Sequence, residues 1–221
     1  MDLLPTHILE TGKNPTHAII WMHGLGADGN DFVPIVRELD LFSDVPIRFV
    51  FPHAPMRSVT INNGYVMRAW YDISNNKMSH AEDEIGIRSS QEAINNLIDH
   101  ELSCGIKPGN IILAGFSQGG AMALHVGLRQ KNYLAGILAL SCYLPLANML
   151  LTEVEPANSS VPIMMAHGKN DLVIPVTLAK ASRDLLLEAD YAVEWHEYAM
   201  EHAVCAEEIM DISHWIRRIV K

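Results

Sequence analysis

The stretch Ile111-Ile112-Leu113-Ala114-Gly115-Phe116-Ser117-Gln118-Gly119-Gly120 constrains this chain more than any other. It reads as a buried strand, a tight turn and the start of a helix. Within it, Gly115-Phe116-Ser117-Gln118-Gly119 fits the G-x-S-x-G pattern, in which a sharp turn lifts a serine hydroxyl clear of a sheet. With no Cβ at 115 and 119, the flanking backbone has room to crowd against that turn. The helix predicted from Gln118 to about Gln130 then aims its N-terminal amides at an oxyanion beside Ser117. A glycine-flanked serine also occurs as a plain turn, and three fixed positions in five recur by chance. The apolar strand before it and the helix after it favour the nucleophile.

The rest of the chain repeats that alternation. Residues 17–23 read as a central strand, apolar on both faces, that runs into the glycine-rich loop Gly24–Asp31 and a short helix to about Leu39. Residues 47–51 read as the next strand. From there to about residue 80 the chain reads as irregular, and irregular segments of that length inside a domain are usually functional. A long helix is predicted from about Glu82 to Leu102, ended by Gly105 and Pro108. Strands follow at Leu134–Leu140, Val161–Ala166 and Val193–Tyr198, with helices at about Val176–Glu188 and Ala203–Val220. Strands alternating with helices predict a mostly parallel sheet covered on both faces. No repeat or linker interrupts the 221 residues, so one domain over 1–221 is expected.

Composition excludes several function classes. The net charge is −10 without a basic run, which argues against nucleic acid and against an anionic membrane surface. No run of eighteen apolar residues is present, so integral membrane association is not expected. Met1–Pro5 lacks the basic and apolar regions of a signal peptide. The three cysteines, Cys104, Cys142 and Cys205, are widely spaced and odd in number, as reduced thiols in the cytoplasm would be. None has metal-ligand spacing. Asp28, Asn30 and Asp31 fail as a calcium loop because Val33 stands where glycine is needed. No metal or organic cofactor is expected.

In doubly wound sheets, ligands bind beyond the carboxyl ends of the strands. That rule selects residues 23–31, 115–119, 167–172 and 199–203. They bring Ser117, Asp171 and His202 together in the order Ser…Asp…His. Neutral imidazole suits the task of taking a proton from Ser117 near neutral pH. Asp171 would hold the His202 tautomer and stabilise the imidazolium. Each has a plainer alternative: the chain holds eleven histidines, and Asp171 also sits where it could cap the next helix. The shared position at strand ends, in the right order, favours the triad.

Further segments carry a resemblance: His23-Gly24-Leu25-Gly26, Asp28-Gly29, Phe51-Pro52-His53-Ala54-Pro55, Trp70-Tyr71-Asp72, Glu82-Asp83-Glu84, Leu140-Ser141-Cys142-Tyr143-Leu144-Pro145, and Asp171 with Pro175. With the serine turn, they make the chain resemble the small carboxylesterase and acyl-protein thioesterase (phospholipase/carboxylesterase) family of α/β-hydrolases, over nearly its whole length. The resemblance implies an α/β-hydrolase fold without a large cap domain. It implies a serine esterase or thioesterase working through an acyl-serine intermediate on small-molecule acyl esters or thioesters. The rivals within that class are a lysophospholipase and a depalmitoylase of acylated proteins. A catalytically silent hydrolase-fold binding protein is the rival outside it. The family includes dimers, and a homodimer is compatible with the sequence.

The resemblance further implies that the backbone amides of Leu25 and Gln118 hold the oxyanion. Since only the N–H is used, the side-chain identity at these positions is expected to matter little. Met67, Trp70 and Tyr71 are expected to wall an acyl groove, with Leu172 and Val173 as contacts on a second side. Two departures stand beside His202: Glu201, where the family often has glycine or an apolar residue, and Ala203, where a small hydroxylated residue is common.

Overall fold

The computed structural model describes residues 3–41, 45–74 and 82–220. In chain order, the strands are β1 (Thr6–Glu10), β2 (His17–Met22), β3 (Ile47–Pro52), β4 (Met56–Val59), β5 (Tyr65–Arg68), β6 (Ile111–Phe116), β7 (Gly136–Leu140), β8 (Ile163–Gly168) and β9 (Val193–Tyr198). The α-helices are α1 (Ile35–Glu38), α2 (Glu84–Ser103), α3 (Gln118–Leu128), α4 (Leu150–Glu153), α5 (Val176–Glu188) and α6 (Ala206–Ile219). Seven strands form one sheet in the order β1-β3-β2-β6-β7-β8-β9. All pairs are parallel except β1 with β3, where Thr6 lies opposite Pro52.

Side-chain alternation along the central strands builds a core on each face. Ala18, Ile20 and Met22 of β2, with Ile111 and Leu113 of β6, pack under Ile87, Ile94 and Ile98 of α2 and Met122 and Val126 of α3. Ile19, Trp21, Ile112 and Ala114 face the other way, against Ile35 and Val36 of α1 and Ile212, Trp215 and Ile216 of α6. Burying one such side chain contributes roughly 1.5–3 kcal/mol. The double-sided burial of β2 and β6 therefore anchors the middle of the sheet, and it is beyond the carboxyl ends of these two neighbours that the chain makes its key turns.

The expected mostly parallel sheet, covered on both faces, is the observed architecture. Three local expectations need correction. The first strand is β1, whose half-exposed edge position left no apolar run to read. Part of the stretch read as irregular is a hairpin, β4 with β5. Its turn carries Asn63 and Gly64 at positive φ, 56° and 77°, the conformation that an Asn-Gly pair adopts readily. Residues 75–80 of that stretch lie outside the described residues. The last helix begins at Ala206 rather than Ala203, because 200–205 form the loop that presents His202.

Candidate active site

Ser117 follows β6 directly and starts α3. Its backbone stands at φ 56°, ψ −123°, a region that costs a non-glycine residue about 1–3 kcal/mol. The surroundings hold it there. Its N–H donates to the Leu140 carbonyl of β7 (2.8 Å), and its own carbonyl accepts the first helical bond, from Ala121. Gly119 is needed because α3 runs almost against β2: a Cβ there would lie 2.2 Å from the Met22 carbonyl oxygen.

The three side chains expected to form a triad meet in space. Ser117 Oγ lies 2.9 Å from His202 Nε2, and His202 Nδ1 lies 2.6 Å from Asp171 Oδ2. An ionised carboxylate only accepts, so the imidazole proton sits on Nδ1 and leaves Nε2 free to accept from the serine hydroxyl. The Asp171 side chain is fully buried, while the His202 ring keeps an edge open to solvent. Burial alone would push the Asp171 carboxyl up. The hydrogen bond from His202, with those from the Ile174 and Val173 amides, outweighs it and holds the carboxyl below its usual range. Both amides donate to Oδ1 at 2.8 Å. Asp171 thus closes its own turn rather than capping α5, which begins five residues later.

A second imidazole faces the same carboxylate. His167, at the end of β8, is fully buried with its Nε2 3.3 Å from Asp171 Oδ2 and 2.8 Å from the Ile174 carbonyl. Burial lowers its pKa, and the Ile174 carbonyl, which only accepts, calls for a proton on Nε2. The sequence reading passed over it. The signal was its place four residues before Asp171, at the end of a buried strand.

The loop after β2 approaches from the other side. A Cβ on Gly24 would sit 3.3 Å from Ser117 Cβ, so the backbone passes beside the hydroxyl. Among the described residues, neither the Leu25 nor the Gln118 N–H has a protein acceptor. Several ties hold the loop. His23 Nδ1–H donates to the Gly24 carbonyl (2.7 Å), and its Nε2 accepts from the Ala54 amide (3.1 Å). Gly26 N–H donates to the Arg68 carbonyl (2.9 Å), and Gly29 N–H to His53 Nδ1 (3.1 Å).

A model of the phospholipase/carboxylesterase family matches residues 5–220. The chain belongs to that family. Among its relatives, acyl-protein thioesterase 1 of Gibberella zeae is 36% identical over 220 residues, covering 96% of this chain and 94% of that protein. Acyl-protein thioesterase 1 of Neurospora crassa is 39% identical over 211 residues, 91% and 86% of the two chains. Among solved structures, Arabidopsis thaliana SOBER1 superposes with a TM-score of 0.86 at 30% identity, over 93% of this chain and 99% of that one. Zea mays acyl-protein thioesterase 2 superposes at 0.87 and 25% identity, over 98% and 99%.

Against this family frame, the residues expected to contact substrate divide. Leu172 and Val173 are 90% and 68% exposed beside Asp171, open to a ligand. Met67 is half-buried and lines a cleft of about 730 Å³. Met56, Tyr65, Val66 and Arg68 of the hairpin line it as well, together with Gly26, Asp28 and Asp31 of the Leu25 loop. Trp70 and Tyr71 do not wall a groove. They are 0% and 2% exposed, packed with the α2 and α3 core, and Tyr71 shares a hydrogen bond with Tyr143 (3.2 Å between hydroxyls). Large apolar area makes a core position as natural for them as a groove. The expectation that the side chain at 118 matters little also fails. The Gln118 carboxamide is buried and makes two hydrogen bonds, accepting from Trp70 N–H (2.8 Å) and donating to the Tyr71 carbonyl (2.7 Å).

The departures beside the histidine fall on exposed side chains. Glu201 and Ala203 both face solvent, and what the fold uses of Glu201 is its carbonyl, which accepts from Ala203 N–H.

Proposed function

We propose that Ser117, His202 and Asp171 are the catalytic triad of a serine hydrolase that cleaves acyl thioesters and carboxylic esters. The observation that carries this reading is the unbroken relay from Ser117 Oγ through His202 to Asp171, at 2.9 and 2.6 Å. Ser117 Oγ attacks the acyl carbonyl carbon as its proton passes to His202 Nε2. The carbonyl oxygen becomes an oxyanion held by the Leu25 and Gln118 amides, and losing one such donor typically costs about 10²–10³ in turnover. Collapse breaks the bond to the leaving sulfur or oxygen, which takes the proton from His202. Water then attacks the acyl-serine, again giving its proton to His202, and the acid leaves with Ser117 restored. No step calls for a metal or organic cofactor.

The substrate class we favour is an acyl chain in thioester linkage to a protein, supported by the acyl-protein thioesterase relatives. Exposed Leu172 and Val173, and the cleft by Met67, supply apolar surface for such a chain. A lysophospholipase is the second reading, and the family's phospholipase membership favours keeping it in the test. The setting we propose is cytoplasmic, in keeping with three free cysteines. Purified protein should turn over a graded series of acyl thioesters and oxoesters, and a fluorophosphonate should label Ser117. Labelling or turnover retained in Ser117→Ala would overturn the assignment; lysophospholipid turnover above that of acyl-peptide thioesters would decide for the second reading.

A further inference from the structure

We infer that Trp70 and the side chain of Gln118 form a strut that sets the gap between the two oxyanion amides, which makes both positioning residues for transition-state stabilisation. The inference rests on the serine-hydrolase reading above and assigns to Trp70 a different role from contact with an acyl chain. Residues 68–71 run between the Leu25 loop and the serine turn and are hydrogen-bonded to both. Toward the loop, the Trp70 indole Nε1–H donates to the His23 carbonyl at 2.9 Å, and the Arg68 carbonyl accepts Gly26 N–H. These contacts flank Leu25 on its two sides. Toward the serine turn, Trp70 N–H and the Tyr71 carbonyl grip the two ends of the Gln118 carboxamide. The bridge is itself fixed from behind, because Ser90 Oγ of α2 donates to the Trp70 carbonyl.

His23, Trp70, Tyr71, Ser90 and Gln118 of this set are all buried, and Trp70 is fully enclosed with its ring tilted against His23 at 5.5 Å. An amide stabilises an oxyanion only where it already points at the developing charge, so a donor left to wander loses most of its effect. The Leu25 loop is glycine-rich, with Gly26 at φ 77°, and has no regular secondary structure to hold its shape. The strut supplies what the loop lacks. Since its groups touch neither acyl chain nor leaving group, its removal should weaken binding of the transition state without weakening binding of the substrate.

The test is Trp70→Phe, which keeps an aromatic ring and deletes the indole N–H, with Gln118→Glu as a second variant from the other end. Gln118→Glu keeps the shape and the acceptor for Trp70 N–H but loses the donor to the Tyr71 carbonyl. Each is assayed on acetyl, octanoyl and palmitoyl esters, and each is titrated with an alkyl boronic acid, which forms a tetrahedral adduct, and with the matching product acid. A loop displaced by a fraction of an ångström to 1 Å costs up to about 10²-fold. The expected result is a 10- to 100-fold fall in kcat at every chain length. KM and product-acid affinity should stay within twofold, while boronate affinity falls by the same factor as kcat/KM. Losses that grow with acyl length would overturn the strut in favour of a groove wall. Unchanged kcat in folded protein, or equal weakening of boronate and product acid, would also overturn it. If Trp70→Phe fails to fold, Gln118→Glu decides on the same criteria. Fluorophosphonate labelling at Ser117 is followed in parallel, since its absence from the wild type would sink the hydrolase reading instead.

Discussion

Gly119→Ala adds one methyl group at the tightest point of the site. Its Cβ would stand 2.2 Å from the Met22 carbonyl oxygen, 2.5 Å from the Met22 carbonyl carbon and 2.6 Å from the His23 carbonyl oxygen. Real Cβ contacts essentially never fall below 3.0 Å, so α3 and the end of β2 must part by at least about 0.8 Å. All three obstacles are backbone of a fully buried strand and the loop that follows it, with no flexible side chain to swing aside. Overpacking of this kind typically costs about 1–3 kcal/mol, or roughly 2–12 °C of melting temperature for a chain of this size. The functional cost is separable from the stability cost. The displaced parts are Ser117 and the Gln118 amide on one side and the Leu25 loop on the other, and a misplacement near 1 Å costs about 10²-fold in rate. Gly105→Ala is the control: its φ is positive, 95°, which that of Gly119 is not, but it has no atom within 4 Å of the new Cβ and no part in the site. The assay is kcat/KM on a short acyl ester at a temperature where both variants are folded by circular dichroism, with melting temperatures measured alongside. Gly119→Ala is expected to lose at least about 10²-fold while Gly105→Ala keeps its rate. A folded Gly119→Ala with wild-type kcat/KM would refute the claim that the α3–β2 contact sets the site.

Two further outcomes are expected. Glu208, wholly buried at the start of α6, has its carboxyl pushed up to about 8 by burial, which the nearby Cys205 amide only partly offsets. For an acid with a raised folded pKa, the stability is full below the ordinary 4.5 and drains away as pH rises toward 8. At pH 7 the loss is at most about 3 kcal/mol, so wild-type urea midpoints should fall between pH 5 and 8 relative to Glu208→Gln; parallel pH profiles would refute it. Val173→Ser, at a position 68% exposed, should leave stability unchanged and reduce kcat/KM more for palmitoyl than for acetyl esters, since each lost methylene contact costs about 0.8 kcal/mol. Equal losses at both chain lengths would remove Val173 from the acyl path.

What the sequence made legible tracks burial. β2, β6 and β8 are buried on both faces and read as unbroken apolar runs, so their ends, and with them the loops carrying Leu25, Ser117 and Asp171, fell within a residue or two of the observed places. β1, β4 and β5 are half-exposed edges or hairpin strands with no such run. The Asn63-Gly64 pair was the available signal for the hairpin, set in a stretch whose composition reads as irregular. The contacts of Gln118 with residues 70 and 71 span more than forty residues of chain and join side chain to backbone, so no local pattern announces them. Trp70 illustrates the limit most sharply. A tryptophan near a site loop offers the same area to a core as to a ligand, and only its enclosure and its bond to the His23 carbonyl separate the two roles.

That separation bears on how a site like this changes its substrate without losing its chemistry. The groups we propose to handle the reacting atoms are fixed through backbone contacts and buried polar pairs: Ser117 through Leu140, Asp171 through its own turn, the Leu25 loop through His23, Arg68 and Trp70. Substitution at Asp171, His23 or Trp70 leaves a buried donor or acceptor unpaired, typically at about 1–3 kcal/mol, before any effect on rate. The apolar side chains of the hairpin and of the Asp171 loop, Met56, Tyr65, Val66, Leu172 and Val173, are mostly exposed and support little of the core. Replacing them costs little stability, generally within about 0.5 kcal/mol, yet alters the surface an acyl chain would meet. Selection on substrate therefore has a nearly free set of positions, and selection on turnover acts through a different, costly set. Chain-length preference should follow the hairpin and the Asp171 loop, while the rate on a minimal acetyl ester should follow the strut and the glycine contacts.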